Sequence, residues 1–414
     1  MRIAIIGSGI SGLTAAHLLS RDHEIRVFEA DDRIGGHTNT VDVETEHGVV
    51  GVDTGFIVFN DRNYPNFERL LRSLGVEHQR SNMSFSVCDA VHDFEYSSSS
   101  ANGLYAKRSH LVSPAFHRMV LDLGRFNRDL KPWIGTNGTS PGLTQFLEDG
   151  GYSDAFVERL IVPQVAAVWS ADPSDLDRFP TGFLASFFHN HGMLSLFNRP
   201  EWRTVKGGSQ RYVDALVAPI ADRVHTSTRI RSVTRHADRV ELATDTSGPI
   251  GFDHVVLATH SDQALGLLSD TTAAEAEILG AIPYQPSRAI LHTDAGLLPR
   301  RRRTWASWNY HLLPEPPPGP ALTYHMNRLQ SLDSETEYCV TLNREDAINP
   351  EKVIAAYDYS HPVFSHEGQH AQTRHGEISG ERTHYCGAYW GWGFHEDGVA
   401  SALKACAALG ATEL

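Results

Sequence analysis

A chain of 414 residues carries two or three domains' worth of core. Its 41% hydrophobic and 21% charged residues give the balance of a soluble globular protein, and a formal charge of −14 argues against nucleic acid as a partner. The four cysteines form no C-x-x-C pair, so neither a zinc site nor a disulfide framework is indicated, and no apolar run approaches the roughly 20 residues that span a bilayer.

The chain opens on a short apolar run, Ile3-Ala4-Ile5-Ile6, the pattern of a strand buried on both faces. With no apolar leader ahead of it, the expected location is cytoplasmic, with peripheral membrane contact left open. Gly7, Gly9 and Gly12 then form G-x-G-x-x-G, Ser11 to Ser20 has helical spacing, and Glu24 to Phe28 reads as a second strand ending at Glu29. Gly7 permits the tight strand-to-helix turn, Gly9 lets backbone approach a diphosphate, and Gly12 lets the helix lie on the sheet. The first turn of the helix, from Ser11, offers free N–H groups to phosphate. Glu29 lies 17 residues beyond Gly12, near the spacing expected for a carboxylate on a ribose hydroxyl, where it would repel the 2′-phosphate of NADP.

Arg33-Ile34-Gly35-Gly36 follows directly. With this second motif the sequence resembles the flavin-containing amine oxidases, the superfamily of monoamine oxidases, protoporphyrinogen oxidase and phytoene desaturases. The resemblance implies an α/β fold in which a Rossmann-like FAD-binding domain carries an inserted α+β substrate domain, the amine-oxidase and glutathione-reductase-2 type. It implies FAD rather than NAD, with Ala30, Arg33, Gly35, Gly36, His37 and Thr38 beside the cofactor.

Thr40 to Asp53 reads as a hairpin turning at Glu46-His47-Gly48 and leading to Asp53-Thr54-Gly55-Phe56. The resemblance puts Gly55 and Phe56 beside the flavin. Helical spacing over Asn63 to Leu74 stops at Gly75, Ser84 to Val91 alternates like a strand, and Ser97 to Ser100 reads as solvated loop. Ser113 to Trp133, Pro141 to Trp169 and Thr181 to Asn190 are helical and rich in aromatics, an apolar cap or an ordinary domain core. Beyond Lys206-Gly207-Gly208, a strand meander is expected over residues 224–243 and a buried strand over Phe252 to Thr259. The resemblance assigns Ile230 to the adenine and Ala258 and Thr259 to a second contact with the cofactor. A helix near Thr272 to Leu279 and four strands between Ser287 and Leu342 follow, broken by the proline-rich stretch 313–320. The C-terminal segment from His384 carries Gly387, an aromatic loop, then Gly398 and Val399 opening a helix; the resemblance places these three at the flavin. The expected division is 1–60, 205–265 and 380–414 for FAD, and 61–204 with 266–379 for substrate.

The chemistry expected is oxidation at a substrate carbon, by hydride transfer to flavin N5, with oxygen or another acceptor restoring the flavin. The family's lysine segment carries Arg288 here, which stays charged and is a poor base. Arg288 could hold a carboxylate or stabilise anionic flavin. Phe394 aligns with one aromatic of the amine cage, with Trp390 nearby. The wording WGFHEDG and YHMNRLQ resembles bacterial FAD-dependent oxidoreductases whose genes neighbour cyclopropane-fatty-acid-synthase-like methyltransferases, which implies a lipid or other hydrophobic substrate. A small amine, or a flavoprotein without catalysis, are the alternatives. No metal is expected: His189 and His191 have metal-like spacing without further ligands. His292 and His395 read as acid–base or structural histidines, and Arg300 to Arg303 as a solvated loop or a contact for anionic lipid.

Overall fold

Residues Ile3 to Ile6 locate the centre of the molecule, because all four are at most 5% exposed. In a computed structural model, which describes residues 1–136, 140–169, 179–195, 199–245, 248–315, 317–411 and 414, they lie on the middle strand of a five-stranded parallel sheet. The strand order is Val224–His225, Glu24–Phe28, Arg2–Ile6, His254–Leu257, Thr383–Tyr385. Alternate side chains serve opposite layers. Ile3 and Ile5 pack with the helix Ile10–Leu19 and the C-terminal helix His395–Ala407. Ala4 and Ile6 pack with the antiparallel strands Ile230–Arg235, Val240–Thr244 and Ile250–Phe252 and the helices Ser261–Leu267 and Ala273–Gly280. Each buried isoleucine contributes about 2 kcal/mol from its apolar area.

A second, seven-stranded sheet draws on two distant stretches of chain. Its order is Val353–Pro362, Tyr284–His292, Cys339–Leu342, Leu322–His325, Trp308–His311, Phe85–Asp89, Phe94–Ser97. The register Trp308↔Phe85 to His311↔Cys88 is its parallel seam, which joins the early hairpin to the later strands. Helices Pro114–Asp129, Leu143–Gly150, Val162–Trp169 and Thr181–Asn190 cover this sheet and share its main hydrophobic cluster with Leu291, Tyr310 and Leu322. Among the described residues no helix is long and apolar enough to cross a membrane.

Two sequence expectations change, and one strand is added. Ser97 is a fully buried strand residue paired with Ser86, and only Ser98 to Ser100 are exposed. Val224–His225 leaves the expected meander and becomes the edge of the parallel sheet beside Glu24–Phe28. The strand Val353–Pro362, which no expected element covers, is an edge that turns Ala355, Tyr357 and Tyr359 toward the core and leaves Val353 and Ile354 exposed. Of the stretch 313–320, residue 316 lies outside the described residues.

Candidate cofactor cleft and aromatic wall

The strand Arg2–Ile6 ends in Gly7 at φ +102, where a Cβ would stand 2.7 Å from the Ala258 carbonyl oxygen. A Cβ on Gly12 would stand 1.9 Å from the Gly7 carbonyl oxygen, so the helix can rest on the turn only with glycine there. Gly9 differs: among the described residues a Cβ there would meet nothing within 4 Å. Its open face looks into a cleft of about 690 Å³, within the range of small-molecule sites. Gly9 is also the N-cap of Ile10–Leu19 and supplies no side-chain cap, which leaves first-turn N–H groups for an anion.

The second motif is tied to the first. The Gly35 amide donates to the Ser8 carbonyl at 3.1 Å. Arg33 donates to the carbonyls of Thr38 and Gly36 at 2.6 and 2.7 Å, which fixes the loop as it turns through Gly35 and Gly36, both at positive φ. Glu29 accepts from the Ser8 amide at 2.9 Å and the Ser8 hydroxyl at 2.6 Å with one oxygen, and from the Asp31 amide at 3.0 Å with the other.

Gly7, Gly9, Ser11, Glu29, Ala30, Arg33, Gly35, Gly36, His37, Ile230, Ala258, Thr259 and Gly387 all line this cleft. The other expected cofactor residues stand behind it. Gly12 packs under the turn, and Gly398 lies so close to Ile10 and Ser11 that a Cβ would be 2.7 Å from the Ile10 side chain. Val399 is fully buried in the adjoining core. Gly55 abuts the His37 carbonyl, and Phe56 stacks on His395 with ring centroids 3.5 Å apart. Thr38 bonds the Nε2 of His395 at 3.0 Å, and Tyr212 reaches the same nitrogen at 3.0 Å. His395 itself lines the cleft, with burial holding its imidazole well below the usual pKa range.

Sequence reasoning placed His37 at the cofactor but missed the two histidines that join it at the same cleft, His260 and His361. His37, His260 and His361 stand together, with His37 5.7 Å from His260 and 5.3 Å from His361 between ring centroids. Tyr284 stacks on His260 at 4.3 Å and Tyr359 on His37 at 5.0 Å. Burial, then their mutual repulsion, lowers the pKa of His37 and His260 to about 4 and of His361 to about 3. Among the described residues the Nδ1 of His361 is buried without a hydrogen-bond partner. No local spacing marks these residues, since they come from three separate segments.

The aromatic loop beyond Gly387 forms a wall rather than a cluster at the cleft. Phe394 stacks on Phe187 at 5.4 Å and 20°, with His191 and Trp392 beside them. Gly393, a lining residue, sits so that a Cβ would be 3.3 Å from the Phe364 ring, which in turn stacks on Phe183. Trp390 turns the other way, onto His375 at 4.5 Å in the core beside the parallel sheet, and is not part of the wall. Arg288 also lies elsewhere than expected. It is exposed on Tyr284–His292, pairs with Asp358 at 3.0 Å and does not line the cleft, because alternation along the strand turns Ser287 and Ala289 inward instead. His292 is buried and bonded to Thr341 at 2.7 Å, a structural role. His191 is buried on Phe187 while His189 is exposed, so the two imidazoles diverge.

An open glycine face, an uncapped helix start, a buried unpartnered imidazole nitrogen and a strand-end carboxylate together fit an elongated dinucleotide. Among solved structures, cyclohexylamine oxidase from Brevibacterium oxydans IH-35A is similar at a TM-score of 0.69 and 17% identity, covering 99% of this chain and 98% of its own. The CLA-producing fatty acid isomerase from P. acnes is similar at 0.69 and 18%, covering 97% and 96%. These likenesses establish a shared fold. A zeta-carotene desaturase, chloroplastic/chromoplastic, of Solanum lycopersicum is 35% identical over 79 residues, 19% of this chain and 13% of that relative's length. The sequence model of flavin containing amine oxidoreductases matches residues 10–298, well over half of the chain. A match of that length places this protein in the flavin containing amine oxidoreductase family, with FAD as its cofactor and oxidoreduction as its activity.

Proposed function

We propose that the protein oxidises a hydrophobic, acyl-type substrate at carbon. In this reading residues 1–60, 205–265 and 380–414 hold FAD, and 61–204 with 266–379 form the substrate side. When bound, FAD would supply the redox chemistry, hydride acceptance with oxygen or another acceptor as the final electron sink. Gly9 and the first turn of Ile10–Leu19 would receive the diphosphate, Glu29 a ribose hydroxyl, and Ile230 the adenine. The Thr38, Tyr212 and His395 network fixes the start of the C-terminal helix at the cleft.

The observation that carries the substrate class is the direct stacking of Phe394 on Phe187. An amine cage needs its rings apart, with the cation between them. Here the rings touch, Trp392 extends the same surface, and burial holds His191 neutral with a pKa of about 4. Such a wall suits an alkyl chain. Both substrate classes occur within the fold, as the cyclohexylamine oxidase and the fatty acid isomerase illustrate, and a small amine is the second reading. The test is hydrogen peroxide release from the purified protein against a panel of fatty acids and phospholipids and a panel of primary amines. Peroxide with lipids supports the proposal; peroxide with amines and none with lipids sinks it.

A further inference from the structure

We propose that the face built from the hairpin tip at residues 89–94, the turn Arg108–Val112 and the run Arg300 to Arg303 docks on an anionic lipid bilayer. The turn Arg108–Val112 is anchored by one side chain. His110 stacks on Phe116 at 4.1 Å and approaches Phe94 at 5.2 Å, while Arg108, Ser109, Leu111 and Val112 are exposed. Val112 is 82% exposed, Leu111 51% and Val91, on the hairpin tip, 65%. Leu111 and Val112 are consecutive, so they project from the turn as a pair and not as singly scattered apolar side chains.

The cations lie beside them. Lys107, which precedes the turn, pairs with Asp93 at 3.3 Å, and Arg301 meets the same carboxylate at 3.1 Å. Arg300 lies 3.7 Å from it, and Arg302 covers Trp305. Asp93 therefore ties the hairpin tip, the turn and the arginine run into one face. In the segments 89–112 and 300–303, six lysines and arginines stand against three carboxylates, in a chain whose formal charge is −14. A local excess of positive charge around projecting apolar side chains matches anionic head groups above acyl chains. The anchors His110, Phe94 and Phe116 adjoin the hydrophobic cluster that holds Phe187 and packs on Phe394. The proposal rests on the lipid-substrate reading for its purpose, and its test uses no turnover.

The FAD-loaded protein is floated with vesicles of phosphatidylcholine alone and of phosphatidylcholine mixed with phosphatidylglycerol. Each surface cation multiplies binding to the anionic vesicles roughly fivefold, so the triple variant R300S/R302S/R303S should lose about a hundredfold. The variant V112D should lose about tenfold or more at unchanged flavin spectrum. Binding should fall as salt is raised. The proposal is overturned if the protein does not float with the anionic vesicles at low salt, or if the arginine variant floats as well as the parent. Capture by a DNA duplex with none by vesicles would overturn it equally. Vesicle binding without substrate oxidation would keep this surface and reject the proposed substrate.

Discussion

One carboxylate oxygen of Glu29 accepts both the amide and the hydroxyl of Ser8, at 2.9 and 2.6 Å. The acid that ends the second strand thus braces the glycine-rich turn that follows the first. Acid and turn are positioned together, and the ordering entropy of that geometry is met by the fold instead of by the ligand.

Removing that brace should be read in FAD affinity. Hydrogen bonds to a charged group are worth about 1.5–3 kcal/mol. Glu29→Ala is expected to weaken FAD binding about tenfold to a hundredfold, measured by flavin fluorescence on titrating the apoprotein. Unchanged affinity would mean that Glu29 does not face the ribose.

Gly9 and Gly12 predict opposite failures from the same substitution. A side chain at Gly12 overlaps the Gly7 carbonyl, so Gly12→Val should lower apoprotein stability by about 1–3 kcal/mol or more. A side chain at Gly9 meets only the open cleft, so Gly9→Val should keep the apoprotein's thermal midpoint and abolish FAD retention. Equal losses of stability in both variants would contradict this geometry.

Arg288 is a surface partner of Asp358, whose side chain is 77% exposed. Exposed pairs contribute about 0–1 kcal/mol. Arg288→Ala should therefore change the rate of anaerobic flavin reduction less than about twofold. A loss of a hundredfold would restore a catalytic role to this position.

Acid should destabilise the apoprotein through its cleft histidines. Burial lowers His37 and His260 to about 4 and His361 to about 3, against about 6.5 for an unfolded histidine. Between those values the unfolded chain binds more protons, so stability is full above about pH 6.5 and falls as pH drops toward about 4. Each group adds at most about 1.4 kcal/mol per pH unit in that window. Asp53 and Asp397, raised by burial to about 7, oppose the trend, because they carry their protons in the fold. The depressed histidines outnumber them. The apoprotein's thermal midpoint should fall over that range, and His361→Gln should flatten the fall. A midpoint that rises on acidification would be the wrong sign.

How much of this was legible depends on distance along the chain. Gly7, Gly9, Gly12, Glu29 and the Arg33 to Gly36 turn lie within one strand–helix–strand unit, where local turn chemistry dictates residue type. The three histidines of the cleft are brought together by two sheets and a strand edge, and their spacing in sequence carries no sign of it. Trp390 and Phe394 differ by four positions, yet the tight turn through Gly391 and Gly393 sends one ring into the parallel-sheet core and the other onto Phe187. Ser97 looked like loop because small polar residues favour turns; its pairing with Ser86 overrides that preference.

The most direct test of the central claim is anaerobic mixing of the FAD-loaded protein with fatty acids, phospholipids and primary amines while the visible flavin band is followed. We predict bleaching by an acyl lipid and none by the amines. Bleaching by amines alone would contradict it, and would mean that the Phe187 and Phe394 rings part to admit a cation.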